Sequence, residues 1–128
     1  MNRAEIRFGA GKLEQEITVG PHRLKSDAPV EQGGEASGPS PHDYLALALG
    51  ACTGLTLRMY AQRKAWALED VRTVVSLDHT NDVAHFERVI TLVGSLDETQ
   101  KSRLLEIANH CPIHKALTGK IEVETRLA

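Results

Sequence analysis

Fourteen consecutive residues, Tyr44 to Leu57, carry no charge, and no other feature constrains the fold of this chain as strongly. Just ahead of them Ser40-Pro41-His42-Asp43 reads as a helix start, with Ser40 at the N-cap, Pro41 at the first helical position and acidic Asp43 in the first turn. The helix is expected to run from Pro41 to Lys64, roughly 36 Å at the standard rise. Its first two-thirds are apolar on every side, which marks a helix buried all round rather than one lying on a surface. The uncharged run is too short to span a bilayer. A chain of 128 residues predicts one domain, 1–128, able to bury about two-thirds of its unfolded surface without a disulfide or metal staple. It would still struggle to wrap so long a helix alone, which is a first sign of a dimer.

Charge narrows the function classes. Fifteen Lys and Arg stand against 17 Asp and Glu, for a net charge of −2. That excludes a strongly basic nucleic-acid binder, and the five aromatic residues offer little material for base stacking. It equally excludes an acidic disordered chain. Charges interrupt Met1 to Phe8 throughout, so no apolar signal-peptide core is read there. The expectation is a soluble, cytoplasmic protein with no nucleic-acid or membrane partner.

Around the helix the pattern is that of strands. Ile6 and Phe8 alternate with polar residues, and so do Leu13, Gln15, Ile17 and Val19; glycine turns separate them, and residues 22–26 supply a third strand. Residues 27–40 hold three glycines and two prolines without periodicity, a loop long enough to suspect a functional lid. After the helix, Val71, Thr73, Val75 and Leu77 alternate, then Phe86, Ile90 and Leu92 share one face. Asn81-Asp82 between them marks a hairpin. Asp97 caps a second helix over 98–109, Cys111-Pro112 opens a short helical turn over 112–118, and Gly119 ends it. Ile121, Val123, Thr125 and Leu127 then alternate strictly with charged residues, predicting a final strand. The order β-β-β-α-β-β-α-β gives an α+β fold with antiparallel sheets.

The chemistry rests on the only two cysteines, Cys52 and Cys111. Cys52 falls mid-helix among Leu45, Ala48, Leu49, Leu55, Thr56 and Met59, with Gly50 and Gly54 on the opposite face, where another backbone could approach. It is either a small core hydrophobe or a thiol in an oily recess. Cys111 stands where a helix N-cap is expected, a task for which cysteine is a poor choice, so a chemical reason is sought. Four readings stay open at this point. The thiols are inert; or Cys52, His110, Cys111 and His114 hold a metal; or a cysteine hydrolase uses His114 or His42 as base; or one thiolate reduces a peroxide and the other condenses with the resulting sulfenic acid. The two-ligand spacing of Cys111 and His114 lacks a second paired motif, and no local nucleophile signature supports a hydrolase.

Two stretches carry a resemblance. Gly38-Pro-Ser-Pro-His-Asp-Tyr-Leu-Ala-Leu-Ala-Leu-Gly-Ala-Cys52-Thr resembles the first cysteine motif of the OsmC/Ohr family, the osmotically inducible and organic hydroperoxide resistance proteins. His110-Cys111-Pro112-Ile-His-Lys-Ala-Leu resembles the second. The resemblance covers essentially the whole chain. It implies an intertwined homodimer with antiparallel sheets wrapped around long central helices. It implies a thiol-dependent peroxidase acting on hydrophobic organic hydroperoxides as part of the oxidative stress response. No cofactor is implied, and the reductant is an external dithiol such as a dihydrolipoyl group. By motif position Cys52 is the peroxidatic cysteine and Cys111 the resolving one. Family members place a glutamate ten residues before the first cysteine, where this chain has His42, with Asp43 beside it. The family arginine that steadies the thiolate comes from the N-terminal sheet or the following loop. Arg23 is the candidate here and Arg7 its substitute, whereas Arg58 points about 120° away from Cys52 on the helix. These departures point to an OsmC-like branch. For such a branch the alternatives are a hydrophobic-ligand binder and a general thiol–disulfide protein.

Overall fold

The computed structural model describes residues Met1–Ala128. The chain divides into two compact units, Met1–Leu45 and Ala46–Ala128. The boundary falls near the start of helix α1 (Pro41–Lys64).

The first unit is built on an antiparallel meander of β1 (Glu5–Phe8), β2 (Gln15–Val19) and β3 (His22–Ser26). Its register puts Ile6, Ile17 and Leu24 opposite one another, so one cross-strand row is apolar, as the alternation requires. The loop that follows is organised by one carboxylate. Asp27 is 3% exposed and accepts from the backbone N–H groups of Ala28, Glu35 and Ser37 at 2.8, 3.2 and 3.1 Å and from the Ser37 hydroxyl at 2.9 Å. Gly34 closes against Ala28, where a Cβ would collide with the Ala28 carbonyl. Ser26 donates to the Pro39 carbonyl at 2.8 Å and ties the far end of the loop. The helix start is as read from the sequence. Ser40 Oγ accepts from Asp43 N–H at 3.2 Å, and the Asp43 carboxylate accepts from Ser40 N–H at 2.9 Å.

Asp27 makes this anchor sensitive to pH. The Ser37 N–H, against the opposing effect of desolvation, holds its carboxyl below the ordinary 3.8. A carboxyl depressed on folding contributes stability above its unfolded value and loses it as pH falls through the folded one. Asp27→Asn is therefore expected to lower the melting temperature at pH 7 and to flatten its decline below about pH 4. Circular dichroism melts of both proteins check this. Parallel declines would show that Asp27 does not link the loop to pH.

In the second unit α1 buries a single row, Leu49, Thr53, Leu57 and Ala61, spaced one every four residues. Its apolar partners are on β4 (Leu68–Thr80), β5 (Val83–Gly94) and α2 (Glu98–Ala108). Leu57, Leu104 and Ala108 form the core, packed by Trp66, Leu68, Val71, Ile90, Leu92 and Ile107. Strands β4 and β5 form a hairpin in which Thr80 faces Val83. Asn81 and Asp82 both adopt positive φ, 52° and 61°, as a two-residue turn of the primed type demands. Asp97 caps α2 through a reciprocal box with Gln100. The short α3 (Pro112–Thr118) follows, with Cys111 at its N-cap.

Two expectations change. Residues 120–128 form no strand, and Ile121, Val123 and Leu127 are exposed, Val123 at 83%. Alternation supplies a strand with its faces, but the backbone also needs a neighbouring edge to hydrogen-bond, and no strand of the chain pairs with this one. Nor is α1 buried all round. Leu47, Ala51, Leu55 and Met59, again every fourth residue, are exposed, Leu55 at 64%. A Cβ at Gly50 would meet only the Val75 side chain, at an ordinary 3.4 Å, and nothing stands within 4 Å of one at Gly54, so the expected approach of another backbone occurs at neither glycine within the chain.

Candidate active site

Cys111 is the more structured of the two thiols. Pro112 occupies the first turn of α3, and the Cys111 side chain turns back to accept from His114 N–H, 3.4 Å from Sγ. The sulfur is fully buried, at 0% exposure. The expected N-cap role therefore holds.

A guanidinium that the motif reading did not select stands beside it. Arg88 Nη1 lies 3.9 Å from Cys111 Sγ, and donates to Thr53 Oγ1 at 3.0 Å and to the Ala108 carbonyl at 3.2 Å. Its Nη2 donates to Asn109 Oδ1 and lies 3.0 Å from His114 Nδ1. Arginine is always protonated and can only donate. His114 Nδ1 must therefore accept, which leaves the imidazole proton on Nε2. Burial first, then the Arg88 charge and His110, hold the His114 imidazole below its ordinary pKa. An imidazole whose Nδ1 lone pair is already committed to Arg88 is poorly placed to take a thiol proton there, which weakens the hydrolase reading.

Arg88 pairs with no carboxylate; its partners are a hydroxyl, a carbonyl, an amide, an imidazole and a thiol. It thus joins α1, β5, the end of α2 and α3 through one fixed charge. A sequence signal for it exists. Phe86, Ile90 and Leu92 form the inward row of β5, and position 88 falls in the same row. A charged residue in an apolar strand face calls for a partner.

Cys52 is half-buried, and its sulfur lies 3.9 Å from Thr56 Oγ1. It occupies the helix row of Ala48 and Thr56, between the buried and exposed rows of α1. The next residue, Thr53, donates to the Leu49 carbonyl at 2.7 Å and accepts from Arg88. The structure thus brings Thr53, Arg88, Cys111 and His114 together and sets Cys52 next along the helix. Of the other candidates, Arg23 is exposed on β3 and donates to Thr18 at 2.9 Å. Arg7 is exposed on β1, and His42 lies in the first turn of α1. His110 Nδ1 lies 2.7 Å from the Glu106 carbonyl and so carries the proton that it donates. No three His, Cys, Asp or Glu side chains are grouped to hold a metal ion. No helix is long and apolar enough to cross a membrane.

Both thiols and Arg88 fall within residues 34–126, the stretch matched by the family model described as OsmC-like protein. The chain belongs to the OsmC-like protein family. No curated protein matches the sequence. Among solved structures, the OsmC-like protein of Mycoplasma pneumoniae is 16% identical and superimposes with a TM-score of 0.81, covering 93% of this chain and 88% of its own. An organic hydroperoxide resistance protein OsmC from Legionella pneumophila is 25% identical, with a TM-score of 0.66, covering 93% of this chain and 90% of its own. The organic hydroperoxide resistance protein OhrB of Bacillus subtilis is 24% identical with a TM-score of 0.60, over 97% and 95%. The α+β fold with antiparallel sheets is therefore the OsmC-like fold.

Proposed function

We propose that this OsmC-family chain is a thiol-dependent peroxidase of organic hydroperoxides, working in the cytoplasm as an intertwined homodimer of one OsmC-like domain. The Cys52 thiolate attacks the hydroperoxide, the O–O bond breaks, the alcohol leaves, and Cys52 becomes a sulfenic acid. The Cys111 sulfur then attacks the Cys52 sulfur, water leaves, and a disulfide closes. A dithiol of the dihydrolipoyl type returns both thiols, with no bound cofactor.

The observation that carries this division of labour is the difference in access. Cys52 is half-buried, whereas Cys111 is sealed at 0% exposure. Within the protomer a solvent-borne oxidant reaches Cys52 and not Cys111, and the sealed thiol is kept for the sulfenic acid. Arg88 supports the pairing because one guanidinium nitrogen touches both Cys111 and the residue after Cys52. Arg23 is retained as the cation for the Cys52 thiolate, and His42 as a group contributing across the dimer.

Three exposed apolar features support the homodimer: the α1 row Leu47, Ala51, Leu55 and Met59, the sheet residues Ile6 and Leu24, and the unpaired alternation at Ile121, Val123 and Leu127. A second copy offers both a cover for the helix and an edge for the C-terminal segment. The hydrophobic-ligand reading has one feature in its favour, a cleft of about 340 Å³ beside Gly54 lined by Leu55, Arg58, Trp66 and Leu68, which neither thiol reaches.

The test is turnover with dihydrolipoamide as electron donor. Cumene hydroperoxide is expected to be consumed at least about tenfold faster than hydrogen peroxide, the discrimination an apolar recess gives. Faster reduction of a model disulfide than of either peroxide would favour the general thiol–disulfide reading. No turnover at all would leave the ligand reading, with binding then sought in a Cys52→Ser/Cys111→Ser protein.

A further inference from the structure

Resting on the proposed Cys52–Cys111 disulfide, we infer that its reduction has a fixed direction. The incoming reductant thiolate attacks the Cys52 sulfur, and the Cys111 sulfur leaves as the thiolate, received by Arg88. The step balances. The reductant sulfur bonds to Cys52, the Cys52–Cys111 bond breaks, and its electron pair stays on Cys111. A second reductant thiol then displaces Cys52 and carries away the oxidising equivalents as its own disulfide.

Two independent features of the site set this direction. The first is access, since Cys111 has no exposed surface and Cys52 does. The second is the surroundings of the leaving sulfur. In thiol–disulfide exchange the sulfur whose anion is better stabilised leaves faster. Around Cys111, β5 supplies the Arg88 guanidinium, and α3 supplies the His114 N–H and its imidazole. The end of α2 supplies the Ala108 carbonyl and Asn109, which hold Arg88, with His110 turned to the Glu106 carbonyl. From α1, Thr53 contributes a neutral hydroxyl. Arg88 is the only full charge that touches the sulfur, and no carboxylate neutralises it. The Cys52 sulfur has a threonine hydroxyl at 3.9 Å as its polar neighbour, and Arg23, the cation proposed for its thiolate, is bonded to Thr18 instead of to the sulfur. Arg88 thus acts directly on the leaving sulfur in the reductive half-reaction.

The experiment uses the full chain oxidised with diamide, so that no peroxide chemistry enters. A single addition of the monothiol 2-mercaptoethanol, a rapid acid quench, alkylation and peptide mass mapping locate the mixed disulfide. The adduct is expected on Cys52 in excess over Cys111 by at least about tenfold. Arg88→Gln is expected to lower that excess and to slow reduction at pH 7 about tenfold, with Arg88→Lys, which keeps the charge, in between. An adduct on Cys111, or an even split in the unsubstituted protein, overturns the inference while leaving peroxidase turnover to stand or fall separately. Failure of diamide to close a Cys52–Cys111 disulfide overturns both. A merely structural role for Arg88 would lower the melting temperature without moving the Cys52-to-Cys111 adduct ratio, and that result also counts against it.

Discussion

Cys52→Ser is expected to lower cumene hydroperoxide turnover by at least about a hundredfold, since it removes the nucleophile that breaks the O–O bond and nothing else in the chain replaces it. Cys111→Ser has a different outcome. With no dithiol added, the first equivalent of peroxide is still consumed, but the sulfenic acid on Cys52 meets no resolving thiol. Further peroxide drives it to the sulfinic acid, from which simple thiols do not recover it. The two variants therefore separate by time course: the first is slow from the start, and the second gives one rapid turnover and then stops. Stopped-flow consumption of peroxide with mass measurement of each product checks this. Equal residual rates in the two variants would mean that the roles assigned from access are wrong.

The second large effect concerns assembly. Leu55 is central in the exposed α1 row and 64% exposed in the single chain, so a charge there costs the isolated protomer little. Buried against a second copy, the same charge is unpaired in an apolar seam, at a cost of about 3–5 kcal/mol. Leu55→Asp is therefore expected to weaken dimerisation by at least about a hundredfold and to give a monomer at micromolar concentration in sedimentation velocity, where the unsubstituted protein sediments as a dimer. Retained helical circular dichroism would show that the protomer still folds. An unchanged dimer in Leu55→Asp would remove this row from the interface, and a monomeric parent protein would remove the intertwined assembly itself.

What the sequence made legible was mostly local. Ser40 and Asp43 announce the start of α1 because capping is decided within one turn, and the structure adds that the two residues bond reciprocally. Asn81-Asp82 sets the hairpin because Asn and Asp enter the left-handed region more readily than other non-glycine residues, and both do so here. Cys111 is read as an N-cap because it follows one helix and precedes Pro112, which suits the first position of the next. The features that escaped depend on chain segments far apart. Arg88 meets Thr53, 35 residues away, and Cys111, 23 residues away, and no periodicity encodes that meeting. The trace it leaves is a cation in the otherwise apolar row of Phe86, Ile90 and Leu92. Residues 121–127 show the converse. Their alternation is as clear as any in the chain, yet they form no strand here, because pairing depends on an edge that the pattern itself does not provide.

One measurement bears most directly on whether the two thiols act together on a peroxide. Reduced protein is mixed with one equivalent of cumene hydroperoxide, quenched, and weighed intact beside a hydrogen peroxide control. The expected result is a loss of about 2 Da, the two hydrogens surrendered when the Cys52 sulfenic acid is captured by Cys111. A stable gain of about 16 Da would mean that the sulfurs do not meet. An unchanged mass with both oxidants would show two inert thiols, and would contradict the peroxidase reading outright.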